Sequence, residues 1–173
     1  MGVAVMARVI MKHSRKLAHM VAEEAFIAGL IHDVGKLVLY QSFTREFTDA
    51  MNLCRTEQLT LVLAEERVFG FTHQDIGAWV ADEWGFSRNM VKAIELHNSP
   101  YIMDDEDESF VFVSLVHIAD LLSHFLAFGN SGDPFLPVFH FDCYDALGID
   151  LKEIEEMLEE GRKAFAEIAG ALT

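Results

Sequence analysis

The sequence predicts an all-α protein, and three observations lead to this prediction. Apolar residues recur at helical spacing through most of the chain. No stretch alternates apolar and polar residues over the length of a half-buried strand. Residues that cap or end helices stand where the apolar segments begin or stop. Because the 173 residues contain no internal repeat and no linker-like stretch, we expect a single domain over residues 1–173.

Local signals give the order of the expected helices. Their starts are marked by capping residues, which are Thr72 with Asp75, Ser87, and Asp150 with Glu153. Their ends are marked by glycines, such as Gly70 and Gly85. The expected helices span residues 3–22, 25–31, 44–55, 60–69, 72–85, 87–97 and 109–128, followed by a charged amphipathic helix within 150–173. The acidic run 104–108 and the proline-containing stretch 129–137 are expected to be loops.

The charge of the chain makes two classes of partner unfavourable. The sequence holds 13 Lys and Arg against 28 Asp and Glu, for a net charge of −15. Binding to nucleic acid or to an anionic membrane surface depends on clustered basic residues, so we expect neither. We expect protein partners instead. No apolar run reaches the length of about 18 residues that a membrane-spanning helix requires. The two cysteines, Cys54 and Cys143, form no CxxC pattern, which favours a cytoplasmic protein.

The chemistry of the sequence is concentrated in the pair His32-Asp33. Adjacent residues on a helix point about 100° apart, so they can share one ion only near a helix end or kink, which Gly35 would provide. A histidine nitrogen and a carboxylate oxygen suit zinc, iron, manganese or nickel. Lys36 adds a cation beside them, where an anionic oxygen of a substrate could lie.

Three further residues are candidate ligands, and each also has a purely structural interpretation. His73 stands at a predicted helix start and could be a capping residue. His97 stands at a predicted helix end, where an imidazolium is favoured. Asp120 lies within the apolar helix 109–128, where a carboxylate needs a partner. That partner would be a metal ion, or else His117 or His124 at helical spacing.

The short sequence segments around these residues resemble one known family. They are AFIAGLIHDVGK at 25–36, EE…FGFTHQDIGA within 65–78, WGF at 84–86, AIELH at 93–97 and VHIAD at 116–120. In this order they resemble the HDOD domains of the HD superfamily of metal-dependent phosphohydrolases. The resemblance covers roughly residues 10–128 and implies an HD-type helical bundle found in bacterial signalling proteins. Many such domains act as regulatory or scaffold modules, whereas the related HD-GYP branch hydrolyses cyclic di-GMP.

The resemblance also implies a set of metal ligands. His32 and Asp33 match the motif that names the superfamily, and His73, His97 and Asp120 match later ligand positions. His13, within an early His-Ser element, is a further candidate, provided that the chain turns near residues 22–24. The chain contains little of the helical layer that usually precedes the motif.

One position departs from the HD-GYP pattern. Asn98 stands where that branch has a second adjacent histidine, and the Gly-Tyr-Pro element is absent after it. This departure implies one ion rather than two. Two functions therefore remain open, a regulatory HDOD module and a phosphohydrolase acting on a nucleotide or cyclic dinucleotide. In the second, Asp33 or a nearby carboxylate would accept the water proton and Lys36 would hold the phosphate.

Overall fold

The all-α prediction is confirmed by a computed structural model, which describes residues 1–17, 22–104 and 107–171. These residues contain helices and no strand. The α-helices are α1 (Gly2–His13), α2 (Ala22–Ile31), α3 (Val34–Ser42), α4 (Thr44–Glu57), α5 (Leu61–Phe69), α6 (His73–Glu83), α7 (Arg88–Leu96), α8 (Phe110–Phe125), α9 (Phe141–Leu147) and α10 (Ile154–Ala171). Single 3₁₀ turns lie at Pro100–Ile102 and Leu151–Glu153.

Helix α8 is the centre of the bundle. It is buried on almost every side, with Phe112, Leu115 and Ile118 among its fully covered side chains. Helices α1, α2, α7 and α9 pack directly against it, and α10 packs against α1. Although α8 is apolar, no helix in the described ranges is long and apolar enough to cross a membrane.

A second layer consists of α3, α4, α5 and α6. Helix α3 packs on α6, and α4 pairs with α5 around a small apolar cluster that includes Cys54 and Leu61. The close approach of α3 to α6 depends on Gly35, because a Cβ there would lie 1.9 Å from the carbonyl oxygen of His73. Gly35 was expected to end a helix, but it lies in the first turn of α3.

The prediction of one helix over residues 3–22 is wrong. Helix α1 ends at His13, because Ser14 adopts an extended backbone and directs the chain away from the helix axis. The Ser14 hydroxyl donates to the carbonyl of Leu147 at 2.6 Å and accepts from the backbone N–H of Leu17 at 3.2 Å. Residues 18–21 of the predicted helix and residues 105–106 of the acidic run lie outside the described residues.

The predicted helix boundaries after α3 agree well with the structure. Thr72 and Asp75 form a complete capping box, and so do Asp150 and Glu153, although the latter opens with the 3₁₀ turn. Ser87 caps α7 through the backbone N–H of Met90 at 3.4 Å. Gly70 ends α5 and Gly85 follows the end of α6, both at positive φ. Helices α3 and α9 were not among the predicted elements.

Candidate metal centre

His32 and Asp33 lie at the break between α2 and α3, which lets both side chains face the same point. Asp33 precedes the first turn of α3, but its carboxylate makes no capping hydrogen bond to that helix. Its oxygen Oδ2 instead lies 3.3 Å from Nε2 of His32. The helix break thus overcomes the 100° separation that two adjacent residues would have on a continuous helix.

Three histidines present the same ring nitrogen to Asp33. Nε2 of His73, at the start of α6, lies 3.4 Å from Asp33 Oδ1, and Nε2 of His97, which follows α7, lies 3.6 Å from it. In each ring the other nitrogen, Nδ1, is held by an acceptor. His32 donates to the carbonyl of Gly29 and His97 to that of Ile94, each at 2.9 Å.

His73 is held by a buried carboxylate. Its Nδ1–H donates to Oε2 of Glu65 at 2.6 Å, and its backbone N–H donates to the same oxygen at 2.9 Å. Glu65 is fully buried on α5, and its other oxygen has no hydrogen-bond partner among the described residues. Metal-bound histidines usually donate their second ring N–H to a carboxylate or carbonyl, which fixes the tautomer and the ring orientation. All three rings show this arrangement.

Asp120 reaches the same point from the middle of α8. Its Oδ1 lies 3.7 Å from Nε2 of His32 and 3.1 Å from Nδ1 of His124, and the Nδ1–H of His124 donates to the backbone carbonyl of Asp120 at 3.0 Å. His124 is therefore the structural partner of Asp120. His117, the other candidate, donates from Nδ1 to the backbone carbonyl of His97 at 2.7 Å.

The spacing of these donor atoms fits a transition-metal ion. Ligand atoms that lie about 2.1 Å from a tetrahedral ion are about 3.4 Å from one another. Asp33 lies 3.3 to 3.6 Å from the three Nε2 atoms. Within the described ranges, the ligand atoms of His32, Asp33 and His97 all lie within 4.8 Å of one another. Asp120 flanks this group beside His32, and His73 flanks it beside Asp33.

The electrostatics of the cluster favour a cation at its centre. Burial lowers the pKa of His97, so its Nε2 offers a lone pair rather than a proton. Burial opposes ionisation of Asp33, but the charges of His32 and Lys36 hold the pKa of its carboxyl well below its usual range. Burial also opposes ionisation of Asp120, but its hydrogen bond from His124 leaves the pKa below its usual value. Burial lowers the pKa of His32, but the charge of Asp33 outweighs burial and leaves that pKa above its usual value. Two ionised carboxylates thus face the lone pair of His97 in a buried space, and an ion bound there would take the place of the proton on His32.

Lys36 supplies the one ammonium group that contacts the cluster in the described part of the chain. Its Nζ donates to Asp33 Oδ2 at 2.8 Å and to the carbonyl of Ser131 at 3.3 Å. Burial favours the neutral amine, but the charge of Asp33 outweighs this and raises the pKa of Lys36. Lys36 therefore stays charged and lies at the edge of the cluster, where it does not occupy the position of a central ion.

The structure does not bring His13 to this cluster. Its Nε2 contacts Oε1 of Glu160 on α10 at 3.3 Å. Gly2, at the other end of α1, lines a cleft shared with His32 and Asp33. The 12-residue helix separates its two ends by about 16 Å, so His13 lies too far away to be a ligand. The turn that His13 would have required was expected near residues 22–24, which instead begin α2.

A cavity of about 360 Å³ opens beside the cluster. His73, His97 and Asp120 form part of its wall, together with Lys36. Apolar side chains from α5 and from the loop before α9 also line it; they are Val62, Leu63, Phe135, Leu136, Pro137 and Val138. This volume lies within the range of small-molecule sites.

Two contacts of the cluster were not anticipated from the sequence. Glu65 was named only as part of a family word, although a detectable signal was present. The buried Leu61 and Ala64 and the partly buried Val68 form the apolar stripe of α5 at helical spacing, and Glu65 occupies a position within that stripe. The second contact, from the side-chain amide of Asn98 to Nε2 of His97 at 2.9 Å, has no sequence signature.

Comparisons with known proteins agree with the fold described above. Three solved structures share the fold over nearly the whole chain, each at low sequence identity. A provisionally named signal transduction protein from Marinobacter aquaeolei VT8 is 22% identical with a TM-score of 0.78, and the match covers 98% of this chain and 38% of that protein. An HDOD domain protein of unknown function from Geobacter sulfurreducens is 20% identical with a TM-score of 0.66, covering 94% and 60% of the two chains. The MmoQ response regulator from Methylococcus capsulatus str. Bath is 20% identical with a TM-score of 0.67, covering 91% and 58%.

The present chain thus spans between 38 and 60% of the length of these solved proteins. No curated protein sequence matches it. The sequence pattern of the HDOD domain matches residues 1–100, which is more than half of the chain and includes His32, Asp33, His73 and His97. The chain therefore belongs to the HDOD domain family.

Proposed function

We propose that this protein is a regulatory module of bacterial signal transduction whose HD-type centre holds one divalent transition-metal ion. The observation that carries the proposal is the convergence of three imidazole Nε2 atoms on Asp33, each ring fixed through Nδ1. The names of the Marinobacter protein and of the response regulator MmoQ support a signalling role. The net charge of −15 supports protein partners rather than nucleic acid.

The ion would be held by His32, Asp33 and His97, with His73 and Asp120 completing the site. Nitrogen and carboxylate donors suit iron, manganese, zinc or nickel. A bound ion would act as a Lewis acid and lower the pKa of a coordinated water. Asn98 in place of a second histidine favours one ion over two. In a regulatory module, the ion would join α2, α3, α6, α7 and α8 and so fix their relative positions.

We further propose that residues 1–173 form one domain that functions in the cytoplasm. The continuous packing of α10 on α1, and of α1 on α8, supports a single unit. Both cysteines, Cys54 and Cys143, are free and buried, which suits a reducing compartment. The amphipathic helix α10, which carries most of the predicted segment 150–173, belongs to this unit.

A second candidate function is metal-dependent phosphohydrolysis, and the cavity is the observation that favours it. The cavity adjoins the cluster and is large enough for a nucleotide-sized ligand, including part of a cyclic dinucleotide. Lys36 lines it and uses two of its three N–H bonds in its hydrogen bonds to described residues, so that a phosphoryl oxygen could accept the third. Asp33 is ionised and could accept a proton from a water molecule.

Metal analysis of protein purified without chelator tests the first proposal. We expect close to one transition-metal ion per chain. We also expect saturating Mn²⁺ or Zn²⁺ to stabilise the wild type by about 2.7 kcal/mol at a hundredfold excess over Kd. Asp33→Ala and Asp120→Ala should abolish this stabilisation, whereas Asp49→Ala, an exposed carboxylate of α4, should retain it. The metal centre would be refuted if the purified protein contained no metal and its unfolding free energy did not change when Mn²⁺ or Zn²⁺ was added.

Turnover distinguishes the two candidate functions. The metal-loaded wild type is assayed against cyclic di-GMP and against a generic phosphodiester, bis(p-nitrophenyl) phosphate. A regulatory module should hydrolyse neither. Hydrolysis that is lost in both Asp33→Ala and Lys36→Met would instead establish the phosphohydrolase. The first variant removes a metal ligand that is also the proton acceptor, and the second removes only the phosphate-binding cation.

A further inference from the structure

Asn98 makes a contact that bears directly on metal binding. Its side-chain amide nitrogen lies 2.9 Å from Nε2 of His97. Because Nδ1 of His97 donates to the carbonyl of Ile94, Nε2 is the acceptor nitrogen of this neutral ring. The amide N–H of Asn98 therefore donates to the single lone pair that His97 could offer an ion.

This contact distinguishes His97 from the two other imidazoles of the cluster. Nε2 of His73 is buried and has no hydrogen-bond donor among the described residues. Nε2 of His32 faces the carboxylates of Asp33 and Asp120. His73 can therefore offer its lone pair to an ion without losing a hydrogen bond, whereas His97 must first release Asn98.

We propose that Asn98 sets the metal affinity of the centre by competing with the ion for Nε2 of His97. The proposal rests on the metal centre proposed above. A hydrogen-bond donor and a metal ion cannot share one lone pair. Binding of the ion to Nε2 therefore breaks the hydrogen bond from Asn98. The side chain has room to move, because Asn98 is only partly buried and lines the cavity beside the cluster. The centre would thus exchange its ion more readily than the same ligands without Asn98.

The size of the effect follows from the one contact that is broken. A neutral hydrogen bond contributes a net amount that corresponds to about two- to tenfold in an equilibrium constant. Removing the amide should therefore tighten metal binding by about two- to tenfold, without any change in the ligands. This is the opposite of the outcome if Asn98 were itself a ligand, because its removal would then weaken binding.

The test is Co²⁺ binding to Asn98→Leu, which keeps a similar volume but has no donor. Isothermal titration gives Kd and stoichiometry, and the visible spectrum reports nitrogen ligation. We expect one ion in both proteins, with the variant tighter by about two- to tenfold. Ser99→Ala is the matched control, because Ser99 is the next residue and also lines the cavity. Its affinity should equal that of the wild type. Asn98→Ala is measured in parallel, so that a folding defect in the Leu variant does not decide the result.

Nuclear magnetic resonance provides a second readout that a structural role would not affect. On addition of Zn²⁺ to the wild type, the side-chain amide resonances of Asn98 should shift as its hydrogen bond to His97 breaks. Equal or weaker metal binding by both Asn98 variants, or amide resonances unchanged by saturating Zn²⁺, would overturn the proposal. Binding by neither wild type nor variants would refute the metal centre and this inference together. Equal binding by all proteins would refute only the role of Asn98.

Discussion

Replacement of Glu65 by Gln should weaken metal binding without unfolding the protein. Oε2 of Glu65 accepts both the Nδ1–H and the backbone N–H of His73, at 2.6 and 2.9 Å. Hydrogen bonds to a charged group contribute about 1.5–3 kcal/mol each, against about 0.5–1.5 for neutral ones. The two bonds would therefore lose about 2–3 kcal/mol in total. Relief from burying a carboxylate, one of whose oxygens has no partner among the described residues, offsets much of this loss.

The metal-free protein should consequently change in unfolding free energy by less than about 2 kcal/mol. Metal affinity should fall more clearly, by about 10- to 100-fold, because the carboxylate orients the His73 ring and raises its basicity. Isothermal titration with Zn²⁺ measures the affinity, and urea unfolding of the metal-free protein measures the stability. Glu66→Gln is the matched control, since Glu66 is the next residue of α5, is exposed and makes no hydrogen bond to His73. Equal affinities for both variants would refute the role assigned to Glu65.

Three further outcomes are expected. Gly35→Ala should cost about 1–3 kcal/mol or more in thermal or urea unfolding, because its Cβ would force α3 away from the carbonyl of His73; a neutral effect would contradict the packing. Thr72→Ala should cost about 0.5–2 kcal/mol by breaking the capping box with Asp75. Thr56→Ala, at an exposed site of α4, should change the unfolding free energy by no more than about 0.5 kcal/mol. Equal losses of stability in the Thr72 and Thr56 variants would argue against the cap. The protein should pass through a DNA column at physiological salt, and salt-sensitive retention would contradict the inference from its net charge.

Much of the fold could be predicted because its signals are local. The capping boxes at Thr72 and Asp150 and the positive-φ glycines act within one helical turn, so they are legible in the sequence. The end of α1 could not be predicted from the local sequence, because Ser14 is extended partly through a hydrogen bond to Leu147, more than 130 residues away. Helix α3 was missed because Gly35 indicated a helix end, whereas its actual role is to let α3 approach α6 closely.

The candidate site shows the same difference between features that depend on local sequence and features that depend on tertiary contacts. The sequence order of His32, Asp33, His73, His97 and Asp120 identified the side chains that the structure brings together. Their hydrogen-bond partners depend on tertiary placement. Glu65 could have been detected as a carboxylate in an apolar stripe. The contact from Asn98 to His97 depends on a side-chain rotamer at the end of α7, which residue spacing does not predict.

The central position of α8 means that the matched family pattern ends before the helix on which its own helices pack. The pattern matches residues 1–100, yet α1, α2 and α7 bury their apolar faces against a helix that begins at Phe110. A fragment cut at residue 100 would expose these faces and would lack Asp120. His32 and Asp120 lie 88 residues apart in the chain, so their meeting requires closure of a long loop. The cluster should therefore form only when the two ends of this long segment have come together.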